Sequence, residues 1–276
     1  MTSKARSLAD LGNVYDDGAL SNRNRIINGA MVIDQRNGGA AVTSYFAYPV
    51  DRFQVARGQG TEDATFSAQQ DSDVPSGAGF TKSLKFTVTG AETSFGADER
   101  VDIRQRVEGF NVADFGFGAS GASAITLSFW VRSSLTGTFG GSFQNSAANR
   151  SYPYTYTISA ADTWEYKTVS ISGDTSGTWV KDNGNGLTIF WSLGAGSNRA
   201  GTAGAWNANN NTGATGQVQL VSTNGATFYL TGVQLEVGDT ATPFEHRSYG
   251  DELARCMRYA TMYQGDGSGV YAIMGH

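Results

Sequence analysis

Apolar and polar residues alternate in short runs along most of the chain, and glycine, asparagine or serine usually separates one run from the next. A two-residue period places alternate side chains on opposite faces of an extended segment, so each run predicts a β-strand with one buried face. The run over residues 227–237 closes the series. Its alternation slips by one residue at Thr231 and Gly232, which predicts a β-bulge at that point.

Ten or more predicted strands follow one another at intervals of roughly 8–12 residues, with scarcely a helix among them, which indicates an all-β sandwich or barrel. No internal repeat is visible, which argues against a propeller or a solenoid. The predicted strands cover residues 28–33, 45–53, 64–69, 83–89, 100–107, 125–132, 137–144, 152–158, 164–172, 187–193, 217–221 and 227–237.

A different period appears near the C-terminus. Leu253, Cys256, Met257 and Ala260 recur at helical spacing, acidic residues open the segment, and arginines lie later in it. Acids first and bases last complement the helix dipole, so we expect a short amphipathic helix that begins near Asp251. The closing strand therefore leads into an exit helix.

The chain is predicted to contain three parts. Residues 1–24 are polar and poorly periodic, residues 25–240 form the β-domain, and residues 241–276 hold the exit helix and C-terminal segment. Two interpretations of residues 1–24 remain open: a disordered tail, or a segment that becomes ordered only against another protein.

Composition fits this division and excludes several partners. The 276 residues include 36 glycines and only 4 prolines, and 16 % are charged, against about 25 % in an average globular chain. A formal net charge of −5 argues against a nucleic-acid partner, since phosphate binding requires a basic surface. No apolar run approaches the roughly 18 residues of a membrane span, so membrane insertion is not expected. The single cysteine excludes an internal disulfide.

Two tryptophans are candidate ligand or interface residues. Trp179 and Trp206 lie in long glycine-rich and asparagine-rich insertions, residues 173–186 and 194–216. Long insertions in a compact β-domain are commonly functional, and an exposed tryptophan can stack on a sugar ring or enter a partner's pocket. The alternative is that both side chains fold back over the end of the core.

A third set of candidates lies on one strand. Tyr152, Tyr154 and Tyr156 alternate along it, and Pro153 indicates an edge strand because proline cannot donate to a sheet ladder. Tyr152 and Tyr154 are therefore further ligand or interface candidates. A stripe of three rings suits a sugar platform, but an intersheet or subunit contact is the interpretation that the spacing favours.

Catalytic and metal-binding patterns are not apparent. The two histidines and one cysteine form no zinc-ligand spacing, and the paired carboxylates lie in predicted turns or strand ends. Residues 116–121 match Gly-x-Gly-x-x-Gly but precede a strand, whereas a dinucleotide site requires a helix N-terminus. We expect a protein that is not an enzyme and has no cofactor. A structural calcium ion is compatible with turn carboxylates, although no ligands can be assigned.

Six segments stand out in order along the chain. The first is residues 28–36, and the second is residues 48–53 (Tyr-Pro-Val-Asp-Arg-Phe), which resemble a Tyr-x-x-Asp-Arg-Trp motif with Phe53 in place of tryptophan. The others are residues 125–132, 232–238 (Gly-Val-Gln-Leu-Glu-Val-Gly), 241–245 and 252–259, which ends in Cys-Met-Arg-Tyr. Together, and in this order, they resemble the landmarks of a family of phage tail-fibre and related virion proteins.

This resemblance implies a jelly-roll β-sandwich similar to carbohydrate-binding modules. It further implies a structural virion protein, assembled in the host cytoplasm, that attaches to other virion proteins through residues 1–24 and contributes to host recognition. Two alternatives remain open: a carbohydrate-binding module for a cell-surface glycan, and, less favoured, a polysaccharide-degrading enzyme.

The resemblance also implies a homotrimer, because fibre proteins of this kind are typically trimeric. Leu253, Met257 and Ala260 are then the oligomer-interface candidates, with the apolar side of the exit helix facing outward. The competing interpretation is that this side packs on its own sandwich, as short helices usually do.

Overall fold

The structure, a computed structural model, describes residues 22–58, 64–264 and 270–273. Most of the predicted attachment segment, residues 1–21, lies outside them. The α-helix of the described part, α1, spans Tyr249–Met257. The strands are β1 (Gln54–Arg57), β2 (Thr65–Asp71), β3 (Ser83–Gly90), β4 (Arg100–Glu108), β5 (Ile125–Ser133), β6 (Gly137–Gln144), β7 (Ser151–Ile158), β8 (Glu165–Ile171), β9 (Asn185–Ala195), β10 (Ala200–Gly201), β11 (Gly213–Ala214), β12 (Thr227–Val237), β13 (Thr261–Gln264) and β14 (Val270–Ile273).

Two five-stranded antiparallel sheets form a β-sandwich of jelly-roll type, as the strand pattern and the resemblance predict. Sheet I has the order β1-β4-β9-β6-β7, and sheet II has the order β2-β3-β12-β5-β8. Aromatic rings from both sheets meet between them. The ring centroids of Phe129 in sheet II and Trp191 in sheet I are 5.9 Å apart, and those of Phe228 in sheet II and Phe139 in sheet I are 6.1 Å apart. These side chains are fully buried. Their burial supplies the main driving force for pairing the sheets.

The predicted bulge in β12 is confirmed. Thr231 pairs with Trp130 of β5, but the next pair is Gln234 with Ser128, so the register shifts between them. Gly232, inside the shift, has a φ of +61°, a conformation that glycine adopts without steric cost.

Nine of the predicted strands are confirmed, and three are wrong. Residues 28–33 and 45–53 form turns rather than strands. Their backbone takes positive φ values at Asn28, Met31, Phe46 and Arg52, which an extended strand does not allow. Residues 217–221 also form no strand, because the chain turns in a short 3-10 helix at Leu220–Ser222.

The two ends of the described chain are joined by a network that we call the terminal clamp, between residues 22–28 and 245–252. The Glu245 carboxylate accepts hydrogen bonds from the backbone amides of Asn22 and Asn24, at 2.6 and 2.8 Å. Arg247 donates to the carbonyl of Ile26 at 2.9 Å, and Glu252 accepts from the amide of Asn28. Side chains from the C-terminal segment thus satisfy backbone groups that no sheet ladder pairs.

The exit helix starts close to its predicted position. Ser248 is its N-cap, and the Ser248 hydroxyl accepts a hydrogen bond from the amide of Asp251 at 3.2 Å. Cys256 is buried against Ile27 and Ile33, so the inner side of α1 lies on the N-terminal segment. No helix in the described part of the chain is long and apolar enough to cross a membrane.

A long insertion after β9 crosses the outer face of sheet I. We call residues 196–219 the flap. Asn207 and Ser151 of edge strand β7 exchange backbone hydrogen bonds of 2.9 and 3.0 Å, and Gln217 donates to the Ser192 hydroxyl of β9 at 2.6 Å. The flap thereby covers outward-facing polar side chains of sheet I, including Ser142 and Ser192, which are fully buried.

Candidate functional site

The structure brings the predicted tryptophans together. The rings of Trp179 and Trp206 are 5.4 Å apart, and Phe117 lies 4.9 Å from the first and 5.6 Å from the second, all at steep angles. Both indole nitrogens donate to backbone carbonyls, of Ser176 and Ser172 respectively. Trp179 is only 8 % exposed. The cluster therefore packs over one end of the sandwich, with Trp206 anchoring the tip of the flap.

The tyrosine candidates of β7 point into the domain. The Tyr154 hydroxyl donates to the carbonyl of Phe190 at 2.8 Å, and burial raises the pKa of Tyr154 well above its ordinary value. Tyr156 contacts Phe129 of sheet II at 5.1 Å. Tyr152, which is half-buried, packs against Trp206 at 5.3 Å. The sugar-platform interpretation is wrong for Tyr154, because its strand face turns toward the opposite sheet.

The three helix candidates do not share an outward face. Ala260 is 2 % exposed, and Leu253 is half-buried against the cluster of Ile27 and Ile33. Met257 is 42 % exposed. The expectation that all three face outward is wrong for Ala260 and Leu253, because α1 gains its packing from its own N-terminal segment. Met257 stays on the surface.

Another set of aromatic rings lies on the outer face of sheet II. Trp130 of β5 pairs in register with Tyr166 of β8, and their ring centroids are 5.4 Å apart at an interplanar angle of 50°. Tyr166 is 44 % exposed, and Trp130 is half-buried. Both occupy the outward positions of strands whose inward positions build the core. The outer face of sheet II therefore presents two adjacent rings to solvent.

The row of rings continues across β12. A Cβ atom added at Gly232 would lie 2.7 Å from Cζ of Phe80 and 3.0 Å from Cδ1 of Trp130, so these two rings close over the bulge. The ring centroid of Phe80 is in turn 5.0 Å from that of Phe244 and 5.4 Å from that of His246. We call the row of Tyr166, Trp130, Phe80, Phe244 and His246 the aromatic strip.

Polar groups with fixed positions flank the strip. Asp73 accepts hydrogen bonds from Arg132 and, at 2.8 Å, from the indole nitrogen of Trp164. Arg132 also donates to Asp162 at 3.1 Å, and its guanidinium carbon lies 4.9 Å from the ring centroid of Tyr229. Charged donors and acceptors held this way keep their orientation without a ligand, as polar recognition of hydroxyl groups requires.

A cavity of about 150 Å³ opens where the strip ends. Its walls come from three separate parts of the chain: the turn before β3, the N-terminal segment, and the segment that leads into α1. The lining residues are Ala30, Val32, Gly79, Phe80, Thr81, Phe244, Glu245, His246, Arg247, Tyr249 and Glu252.

The aromatic strip was not predicted from the sequence, although part of its signal is present there. In β5, Trp130 stands between Ser128 and Arg132 in the polar half of the alternation, and Tyr166 occupies the matching half of β8. An aromatic residue at an outward position predicts an exposed ring. The contribution of Phe80 and Phe244 has no such local signal, because both lie outside the strands.

No metal site is evident in the described part of the chain, where no three His, Cys, Asp or Glu side chains lie close enough together to hold an ion.

Comparisons with known proteins found no matching family model and no matching curated protein. Among solved structures, the chain is similar to the enzymatically active domain of tailspike protein 4 from bacteriophage CBA120, with 12 % identity and a TM-score of 0.42 over 78 % of this chain. That match spans 22 % of the tailspike chain.

Two carbohydrate-binding modules are also similar. One is TmCBM61 in complex with β-1,4-galactotriose, with 10 % identity and a TM-score of 0.37, covering 78 % of this chain and 99 % of the module. The other is the family 11 module of a Clostridium thermocellum cellulase, with 14 % identity and a TM-score of 0.34, covering 77 % and 99 %. At these values the likeness does not indicate what this chain binds.

Proposed function

We propose that this chain is a structural component of a phage virion, a tail fibre or related appendage, whose sandwich binds a glycan of the host surface through the aromatic strip. The proposal describes a binding protein rather than an enzyme. We also propose that the chain forms a homotrimer and attaches to other virion proteins through residues 1–24.

The outward-facing pair of Trp130, half-buried, and Tyr166, exposed, carries the glycan part of the proposal. Aromatic rings bury much apolar area with little loss of side-chain freedom, and the C–H faces of a pyranose ring offer the matching apolar surface. Arg132 lies two residues from Trp130 on the same face of β5, and Asp73 and Asp162 hold its guanidinium in place. Rings that bind the faces of a sugar, with polar groups that bind its hydroxyls, make a suitable glycan surface.

The virion part of the proposal is supported by how the sequence landmarks meet. Asn28, from the first landmark, donates through its side chain to the carbonyl of Asp51, from the second, at 2.8 Å. Its backbone amide donates to Glu252, in the last landmark. Three of the segments that resemble the fibre family, residues 28–36, 48–53 and 252–259, thus meet at Asn28.

The glycan proposal is tested by binding the full chain to an array of bacterial surface polysaccharides. We expect Trp130→Ala and Tyr166→Ala each to weaken binding at least about tenfold, since central aromatic residues dominate interface energetics. Phe110→Ala is the matched control, because Phe110 is 62 % exposed in the turn Gly109–Asn111 and stands outside the strip. Equal binding by all three variants and the wild type contradicts the proposal. Release of new reducing ends from the bound polysaccharide indicates an enzyme instead.

Attachment is tested by truncation. The clamp includes Asn22 and Asn24, so a deletion that preserves the sandwich ends at residue 21. We expect the chain without residues 1–21 to fold and to bind glycan, but not to enter particles. Normal incorporation of this truncated chain into particles contradicts the attachment role.

A further inference from the structure

The cavity at the end of the strip has the size of a single ring. Its volume is about 150 Å³, whereas sites for larger ligands commonly measure about 300–1,000 Å³. A protein cavity of about 150 Å³ is known to hold one benzene molecule. The cavity therefore accommodates one monosaccharide-sized group rather than a length of chain.

Aromatic residues shape this cavity on more than one side. Phe80, Phe244 and His246 contact one another, with Phe244 and His246 4.9 Å apart. Tyr249, at the first position of α1, adds a ring that is 63 % exposed. Phe80 is only 8 % exposed, and it approaches Gly232 from the cavity side while Trp130 approaches it from β5. The exposed aromatic surface is therefore interrupted at Phe80, and a ligand that extends from Trp130 crosses the edge of this ring to reach the cavity.

The charges around the cavity disfavour an anionic ligand. Two carboxylates, Glu245 and Glu252, and one guanidinium, Arg247, belong to its lining. Arg247 lies 3.6 Å from Glu245 and 3.4 Å from Glu252, and its terminal nitrogens also donate to the carbonyls of Asn24 and Ile26. With this arginine already engaged, the remaining formal charge is negative. A ligand carboxylate brought into this space meets repulsion from these two side chains, and no unpaired lysine or arginine belongs to the lining described here.

Two fixed segments form walls of the cavity. Ala30 and Val32, which precede the sheets, line it, and so do Tyr249 and Glu252 of α1. The terminal clamp holds these segments together, because Glu252 accepts a hydrogen bond from the amide of Asn28. The small volume between fixed walls leaves room for one sugar.

We propose that this cavity is a subsite for the uncharged terminal pyranose of the glycan that the strip binds. The proposal rests on the proposed function and adds a specificity to it: neutral chain ends are accepted, and ends that carry a carboxylate are rejected. Internal sugars of the glycan lie on Trp130 and Tyr166, and the cavity binds the terminal sugar.

The test uses small probes that fill the cavity but cannot span the strip: methyl glycosides of glucose, galactose and mannose, and the methyl glycoside of glucuronic acid. Saturation-transfer NMR on the full chain measures their binding. We expect a signal from at least one neutral glycoside and, on titration, at least about fivefold weaker affinity for the glucuronide, a difference of about 1 kcal/mol. Absence of signal from all neutral glycosides, or an equal signal from the glucuronide, overturns the proposal.

Two variants locate the binding. Ala30→Leu fills the cavity, and Tyr249→Ala removes an exposed wall, so each is expected to abolish the neutral glycoside signal. Ala119→Leu makes the same substitution in an exposed turn elsewhere and is expected to leave the signal unchanged. Because Tyr249 is exposed, its variant stays informative even where Ala30→Leu folds poorly. An unchanged signal in Tyr249→Ala overturns the proposal.

The strip variant separates this inference from the proposed function. Trp130→Ala is expected to abolish polysaccharide binding and to keep the neutral glycoside signal. Loss of polysaccharide binding in Trp130→Ala, with no glycoside signal even in the wild type, leaves the proposed function standing and rejects the subsite. A glycoside signal without any polysaccharide binding by the wild type rejects the proposed function instead.

Discussion

The guanidinium carbon of Arg52 lies 3.5 Å from the centroid of the Tyr259 ring. These residues come from two landmarks at opposite ends of the sequence, residues 48–53 and 252–259. Arg52 also donates to the carbonyl of Arg106 in β4, and its backbone has a φ of +74°. The contact thus connects the end of the exit helix to sheet I through a residue in an uncommon conformation, so both landmarks have a structural role.

Removal of the Arg52 side chain is expected to destabilise the whole domain. Burial lowers the pKa of Arg52, and the aromatic ring and the Arg106 carbonyl offset the cost of burying its charge. We expect Arg52→Ala to lower the free energy of unfolding by about 1–3 kcal/mol, measured by urea titration. Lys181→Ala is the control. Lys181 is exposed, so we expect a loss below about 0.5 kcal/mol. Equal losses contradict the prediction.

The Glu108 carboxylate is expected to make the free energy of unfolding depend on pH in the acidic range. Its hydrogen bond from Arg258 lowers the pKa of Glu108 below the ordinary value of 4.5, with a further contribution from the Tyr259 hydroxyl. A depressed acid pKa stabilises the fold at pH values above the unfolded pKa, and this contribution is lost as the pH falls through the folded pKa.

We therefore expect Glu108→Gln to be less stable than the wild type at neutral pH, and the difference to narrow as the pH falls below about 4.5. Thermal unfolding at a series of pH values measures it. Asp114→Asn serves as the control, because its side chain is 53 % exposed and its ion pair with Arg25 contributes little. A wild-type advantage that grows toward low pH contradicts this assignment.

Gly232 is expected to tolerate no larger residue. Gly232→Ala places a methyl group against Phe80 and Trp130 and also strains a backbone at φ +61°. We expect a loss of about 2–4 kcal/mol in unfolding free energy, together with weaker glycan binding. Gly77→Ala is a matched comparison, since its φ is +73° but no atom lies within 4 Å of the added carbon. For Gly77→Ala we expect a loss of about 1 kcal/mol. A similar loss at both positions would show that the rings do not close over the bulge.

Trp206 is expected to hold the flap rather than a ligand. Its ring contacts Phe117, Tyr152 and Trp179, and its nitrogen donates to Ser172 at 2.8 Å. We expect Trp206→Ala to lower the free energy of unfolding by about 3 kcal/mol, the low end for tryptophan because the ring is partly exposed. We also expect it to expose residues 196–219 to limited proteolysis, with glycan binding unchanged. Loss of glycan binding in Trp206→Ala, with an intact and protease-resistant flap, would contradict this prediction and indicate that Trp206 contacts the glycan.

The proposed trimer makes a separate prediction about Met257. If exposed Met257 lies at the interface, light scattering on the chain gives about three times its 29.2 kDa mass, and Met257→Asp gives a monomer. Ala254→Asp is the control, because Ala254 is also exposed on α1, and its variant is expected to stay trimeric. A wild-type monomer at micromolar concentration contradicts the prediction.

Most strands could be predicted because their signal is local. In β5 and β12, alternate positions are buried between the sheets and must be apolar. The sequence of each strand therefore has a two-residue period. The bulge at Gly232 was visible for the same reason, as a slip in that period. The strand prediction for residues 45–53 was wrong because a series of turns, rather than a strand, buries their apolar side chains, such as Val50 and Phe53.

The site was harder to predict because burial and partners are not local. From the sequence, Trp206 and Tyr154 were equally good candidates for contact with a ligand. In the structure, residues from distant segments pack against each of them. Trp130 and Tyr166 stood at outward positions, but their continuation through Phe80 depends on a turn that reaches across β12. Aromatic content alone does not distinguish a core ring from a platform.

By itself, the sequence determined the all-β architecture, the bulge in β12, the exit helix and the absence of a disulfide, because each follows from periodicity or composition along one segment. The tertiary structure alone decided which aromatic rings face solvent, that α1 packs on residues 27–33, and that a ring-sized cavity forms between three distant segments. The physical reason is that exposure is a property of the assembled surface: a side chain's neighbours, and not its position in a pattern, decide whether it meets water.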